Sequence, residues 1–232
     1  MTMLRQVGGA TVLLCVLAGA ASAQGWTSTT QPTPVQSVGP ATNATTQGQP
    51  FDERQLDAIK KVTAYFNALA NLKTQFVQTN PDGKKLKGKL AVKRPGRFRF
   101  DYNLPSRQVV VSDGKYLAIQ DLDIKTDDRY ELDRTPFRLL LKSEVDLIRD
   151  AKIFDIQTAD DLIVMTLQDK SPDTPGRIKL FLATKPVLEL KEWVTTDAQN
   201  LETRVELSNG DVKEDIDPKL FDIKSVALEK FQ

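Results

Sequence analysis

The sequence contains no histidine, a single cysteine, and no apolar run approaching the roughly 20 residues that a membrane-spanning helix needs. Without histidine, and with Cys15 alone near the start, it lacks the commonest general base, a paired thiol nucleophile and the usual zinc and copper ligands. Most hydrolytic and transition-metal chemistry is excluded. No phosphate-binding glycine loop is present either, because Gly88 and Gly96 have the wrong spacing and setting. Charge of one sign is also missing: 32 basic residues face 31 acidic ones, a net charge of +1. Nucleic acid and anionic membrane surfaces reward a strong basic excess, so neither is expected as a partner. No catalytic residue, cofactor or metal is assigned.

What is present begins with an export address. Arg5, the apolar stretch from Val12 to Leu17 and the small residues Ala21-Ser22-Ala23 read as a secretory signal cleaved near Ala23. Leu14 stands before Cys15 where a lipidation signal wants a small residue, so Cys15 reads as part of the signal, and lipidation there is the lesser alternative. Removing the signal leaves no cysteine, hence no disulfide, and stability must come from an apolar core. Residues 24–50 carry no charge, four prolines and many Thr, Gln, Ser and Gly. Such a composition buries too little apolar surface to offset its ordering entropy and reads as a flexible leader.

Residues 51–232 are expected to form one domain. It opens with a helix, since Leu56, Ile59, Val62, Phe66 and Leu69 recur at spacings of three and four while Asp57, Lys60, Lys61 and Asn67 take the other side. After Asn71 the period falls to two. Leu86, Gly88, Leu90 and Val92 alternate with lysines and Ala91, and Phe98, Phe100 and Tyr102 alternate with Arg97, Arg99 and Asp101. Asp113-Gly114 between two apolar runs is a hairpin signal. Further strands are expected over 153–157, 162–168, 177–183, 187–196 and 201–207. Thr135 as N-cap and Pro136 at the first helical position predict a second helix carrying Leu139, Leu140, Leu141, Val145 and Ile148. Helix, about six strands, helix and about five strands make a mainly β, α+β fold whose long antiparallel sheet curls on itself. Its apolar concave face needs a plug, a lid or a ligand. The acid pairs Asp121 with Asp123, Asp127-Asp128 and Asp160-Asp161 read as turn and surface carboxylates, with an acid-only hydrolase as a weak alternative.

The segment Val92-Lys93-Arg94-Pro95-Gly96-Arg97-Phe98-Arg99-Phe100, followed by Pro105, Val110 to Lys115 and Thr135-Pro136-Phe137, resembles the LolA family. Leu72 to Gln78 and Pro218-Lys219-Leu220-Phe221 extend the resemblance from about Phe51 to Phe221. It implies an incomplete antiparallel β-barrel of about 11 strands under a helical lid. It also implies a periplasmic, non-enzymatic and monomeric carrier of acylated lipoproteins. Such a carrier collects cargo from an inner-membrane ABC transporter of the LolCDE type and passes it to an outer-membrane acceptor of the LolB type. Arg94 falls at the family's lid-latching arginine and Phe98 at its cavity aromatic, with Phe100, Leu90 and Val92 on the same wall. Leu56, Ile59, Phe66, Leu139 and Leu140 are the expected plug and lid. Arg97 and Arg99 depart from the pattern and are expected to add charge beside the mouth. A sensor or scaffold domain on the same fold, signalling to a membrane partner, is the alternative function.

Overall fold

The computed structural model describes residues 50–226. The expected signal, and all of the leader but Pro50, lie outside them. Helix α1, Glu53–Ala68, starts from a reciprocal cap. Asp52 accepts from the Gln55 backbone N–H at 2.8 Å, and the Gln55 side chain accepts from the Asp52 N–H at 3.1 Å. Two helix-end donors that would otherwise lack partners are thereby satisfied. The apolar spacing buries Ala58, Ile59, Val62 and Phe66 on one face.

Six strands follow: β1 (Asn71–Thr79), β2 (Lys85–Lys93), β3 (Arg97–Tyr102), β4 (Gln108–Asp113), β5 (Tyr116–Asp121) and β6 (Thr126–Glu131). Two single-turn helices, α2 (Arg138–Leu141) and α3 (Leu147–Asp150), precede β7 (Ala151–Thr158), β8 (Leu162–Asp169), β9 (Arg177–Ala183), β10 (Glu189–Thr196) and β11 (Glu202–Asp211). All eleven strands form one sheet in the order β6-β5-β4-β3-β2-β1-β11-β10-β9-β8-β7. Each neighbouring pair is antiparallel. The two meanders are thus joined where the first strand meets the last.

The sheet is strongly curled. Four strand spacings separate β3 from β10, about 19 Å if the sheet were flat. Yet the rings of Phe100 on β3 and Trp193 on β10 meet with centroids 6.3 Å apart. Curling brings Phe98, Phe100, Leu180 and Trp193 into one core with α1. Strands β6 and β7 are the free edges, so the barrel is incomplete. Residues 132–150 connect those two edges and therefore cross the gap that the sheet leaves open.

This connector differs from the single helix that its sequence predicts. Thr135 does not cap it: the Thr135 backbone N–H and hydroxyl both donate to Leu132 O, at 3.0 and 2.8 Å, closing a 3-10 turn over Leu132–Arg134. Phe137 stands at the cap of α2, and Lys142 ends that helix in an extended conformation. A new start at Asp146, whose carboxylate accepts from Arg149 N–H at 2.9 Å, begins α3. The break lets Leu139, Leu140, Val145 and Leu147 be buried together, while Ile148 turns out to solvent at 51% exposure.

Outside the sheet, the segment after β11 lies on the convex surface. Ile216 and Phe221 bury themselves against Ala91. Arg99 pairs with Asp101 at 2.8 Å and donates to Leu220 O at 3.4 Å. Arg99 therefore belongs to the outer face beneath this segment, and the expectation that it charges the mouth is corrected. Arg97 alternates with Phe98 and shares that outer side of β3. The reason is the strand period itself, which sends Phe98 and Phe100 inward and both arginines outward.

Gly88 on β2 has a packing reason for its identity. A Cβ there would stand 2.1 Å from Asp101 O and 2.7 Å from the Phe76 ring. Phe76 uses that space to pack edge-on to both Phe100 and Tyr102, with centroids 5.1 Å away in each case. Replacing Gly88 by alanine is expected to destabilise the chain by at least about 3 kcal/mol, the upper end for an overpacked core. Urea unfolding followed by far-ultraviolet circular dichroism measures this, and a loss under about 1 kcal/mol would show that the ring has room to move.

Candidate functional site

The inner face of the sheet and its cover enclose an apolar cavity of about 60 Å³. From β2 and β3 come Leu90, Val92, Phe98 and Phe100; from α1, Phe66 and its capping residue Leu69; from the connector, Phe137, Leu140 and Leu141. The far wall is Ile178 and Leu180 of β9 with Leu190 and Trp193 of β10. Two edge-on ring contacts organise one wall, Phe76 with Phe100 and Phe98 with Phe100 at 5.9 Å, and Phe98 reaches the cover through Phe137 at 5.5 Å.

Of the ten residues singled out from sequence, Phe66, Leu90, Val92, Phe98, Phe100 and Leu140 line this cavity. Ile59 and Leu139 are buried in the surrounding core without reaching it, and Leu56 is half-buried on α1. Leu141, which the sequence places beside Leu139 and Leu140, and Leu69, on the apolar face of α1, also line it, whereas Leu72, Phe137 and the whole β9–β10 wall were not singled out. Period-two alternation in β9 marks Ile178 and Leu180 as inward, but sequence alone does not say that this wall faces β3.

Arg94, the tenth residue, sits where β2 ends. Its guanidinium donates to Lys142 O and, at 3.5 Å, to Ser143 O, in the loop between α2 and α3. Partial burial lowers its pKa from the ordinary arginine value, and an arginine so lowered still holds its charge at neutral pH. Three further contacts act on the same stretch. Gly96 N–H donates to Leu141 O at 2.8 Å, with Gly96 in the left-handed region at φ 69°. The Asn67 side-chain amide donates to Val145 O and accepts from Val145 N–H, both at 2.9 Å, so α1 grips the connector with one side chain. Asn67 keeps its exposed place on α1, and from there its short amide reaches the connector. Arg138 pairs with the buried Asp169 of β8 at 3.1 Å and ties α2 to the sheet.

Within the connector, Lys142 and Arg149 both engage Asp150. The Arg149 hydrogen bonds, at 2.9 and 3.0 Å, and then the Lys142 ammonium hold the Asp150 carboxyl down at about 2. Elsewhere, burial pushes the hydroxyls of Tyr65 and Tyr102 upward. Tyr102 donates to Gln78 at 2.7 Å and Gln78 donates to Asn80 at 2.6 Å, a closed polar set inside the β1–β3 end. Among the described residues no group of three or more acidic, histidine or cysteine side chains is arranged to hold a metal. No helix among them is long and apolar enough to cross a membrane.

The family model described as "Outer membrane lipoprotein carrier protein LolA" matches residues 67–224, which include β1 to β11, the connector and Arg94. The chain belongs to the LolA family. Its relatives include an outer-membrane lipoprotein carrier protein of Chromohalobacter salexigens, 28% identical over 181 residues, which cover 73% of this chain and 83% of that protein. Another, from Pseudomonas putida, is 35% identical over 127 residues, covering 50% of this chain and 60% of its own length. Among solved structures, a LolA superfamily protein of Nitrosomonas europaea aligns with a TM-score of 0.40 at 9% identity, over 71% of this chain and 97% of that one. The MucA/MucB complex of Pseudomonas aeruginosa aligns with 0.43 at 12%, over 73% of this chain and 62% of that one.

The Asp150 cluster makes the connector sensitive to acid in a defined direction. A carboxyl held below its unfolded value stabilises the fold above that value and loses this contribution as pH falls through the folded value. Here the window runs from about 4, the unfolded aspartate value, down to about 2. Amide exchange at residues 138–150 is expected to accelerate across that window more than in β8 and β9, and Asp150→Asn should remove the difference. Equal acceleration in both regions would mean that the ion pairs do not hold the connector.

Proposed function

We propose that the cavity receives the acyl chains of lipoproteins and that the chain is a periplasmic carrier, not an enzyme. The observation that supports this most is the combination of an all-apolar hollow inside an incomplete barrel with a cover held by a few polar contacts. In this reading residues 51–232 are the carrier domain, reached after a signal cleaved near Ala23 and a leader over 24–50. Cargo comes from an inner-membrane transporter of the LolCDE type and goes to an outer-membrane acceptor of the LolB type, with the carrier acting as a monomer.

The energetics suit a carrier. One acyl chain of roughly fifteen methylenes carries about 12 kcal/mol of hydrophobic penalty in water, at about 0.8 kcal/mol each. The Arg94 bonds to the connector, being charge-assisted, are together worth about 2 kcal/mol. Burial of one chain therefore outweighs the latch several-fold, and the latch biases the closed state without forbidding opening. At about 60 Å³ the closed cavity holds little more than two water volumes of about 30 Å³ each. Loading consequently requires the connector, with Phe137, Leu140 and Leu141, to move away from Phe98. Leu139 and Ile59 are buried in the core around the cavity, and Leu56 is half-buried on α1.

Binding is readable from Trp193 in the cavity wall, once Trp26 has been replaced by phenylalanine. A synthetic triacylated lipopeptide is expected to shift Trp193 emission at a one-to-one ratio. Arg94→Leu should raise affinity about thirtyfold, the equivalent of about 2 kcal/mol, and slow transfer to a purified acceptor. Unchanged affinity and transfer would remove the latch role from Arg94. Recovery of a regulatory membrane protein without any acyl cargo would replace the carrier by a sensor.

A further inference from the structure

Beside the covered cavity lies a second hollow of about 350 Å³, between the last turn of α1, the start of β1 and the adjoining ends of β10 and β11. No residue of α2, α3 or the loop between them lines it. Leu69, Leu72, Leu190 and Leu207 line both spaces, so these four side chains are the partition between them. Val187 and Val212, exposed at 65% and 54%, stand at the outer rim. Single exposed apolar residues are ordinary. Here two of them border one mostly apolar hollow that abuts the cavity.

Size separates the two spaces. Ligand pockets run from about 300 Å³ upward, a bound that the second hollow exceeds and that the 60 Å³ cavity misses about fivefold while the cover is latched. The second hollow also leaves few polar groups to be buried without partners. Thr74 donates to Ser208 O at 2.7 Å, Tyr65 accepts from Leu190 N–H at 3.2 Å, and Glu189 at the rim pairs with Lys191 at 2.5 Å. A chain could lie there with its polar end outside, near Glu189 and Lys191. Of the four, Leu69 is the one at a helix end. Leu69 is the capping residue of α1, its N–H bonded to Tyr65 O at 3.0 Å and its backbone already extended.

We infer that this hollow is the entry port for the first acyl chain of a lipid-modified protein. The chain lodges there while the cover is latched and then advances into the cavity as Leu69 turns aside. The inference rests on the carrier reading and adds an order of events, with the port engaged before the Arg94 contacts break. It also places the docking of cargo at the α1–β10 side of the barrel and not over the connector.

Two variants narrow the port from opposite walls, Ala70→Trp and Gly210→Ile, and neither position lines the cavity. A Cβ on Gly210 would stand 3.5 Å from Leu72 Cδ1 and 3.4 Å from Glu189 Oε1, ordinary contacts that the backbone tolerates. The purified chain is mixed with a fluorescent triacylated lipopeptide in a stopped-flow cell, after thermal unfolding has shown that each variant is folded. Association is expected to slow at least tenfold in both variants, with the amount bound at equilibrium unchanged. An unchanged rate in either folded variant overturns the port and leaves the carrier reading intact. Reduced binding at equilibrium with an unchanged rate makes the hollow part of the final site and likewise overturns the port. Failure of the unaltered chain to bind the lipopeptide overturns both.

Discussion

An antiparallel sheet of eleven strands with one apolar face must cover that face, and the connection between β6 and β7 carries the cover because those strands are the two unpaired edges. Had they paired, the barrel would be closed and would leave no gap for the connector to cross. Left apart, they oblige nineteen residues, 132–150, to bridge the opening. The cover is thus a topological consequence of incomplete closure, and what the sequence chooses is how firmly it is held.

It is held by polar contacts of different kinds and locations. Asn67 works from α1, Arg94 and Gly96 from the end of β2, and Asp169 from the end of β8, each meeting a different part of the connector. Most of these bonds use backbone carbonyls of the connector as acceptors. Exchanging a carbonyl's bond to protein for one to water has a small net free energy, of order 1 kcal/mol for a neutral pair. The apolar underside, by contrast, is exposed on opening unless something apolar replaces it. On the carrier reading proposed above, opening is then gated by what enters.

Much of this was legible in the residues. Alternation of Phe98, Phe100 and Tyr102 with Arg97, Arg99 and Asp101 determines which side of β3 is buried, since a one-residue slip would put both arginines in the core. The strand count on either side of the connector also follows from turn signals such as Asp113-Gly114. Less legible was β6, where Thr126-Asp127-Asp128-Arg129-Tyr130-Glu131 shows no apolar alternation because an edge strand over solvent needs none. The connector's break at Lys142 was hidden as well, because Leu139 to Leu141 satisfies a helical pattern locally and only the shape of the opening sets where the helix stops. The opposite wall of the cavity was invisible for a related reason: Phe100 and Trp193 are far apart in sequence and meet only through curl.

The same curl explains why one fold contains a tight cavity beside a roomier hollow. Curvature brings β3 against β10 and squeezes the space beneath the cover to about 60 Å³, while α1 ends at Leu69, before it reaches the far ends of β10 and β11. There Leu72, Leu190 and Leu207 wall the tight cavity on one side and the hollow of about 350 Å³ on the other. Lengthening α1 would fill it, but Ala70 and the turn of chain into β1 prevent that: Arg94 N–H takes Ala70 O at 2.9 Å, fixing the start of β1 against the end of β2. The residue whose guanidinium bonds the connector thus also holds, through its backbone, the start of β1 beside the two spaces. A change at Arg94 that disturbs only the guanidinium alters the cover, whereas one that disturbs the backbone, such as proline, alters both.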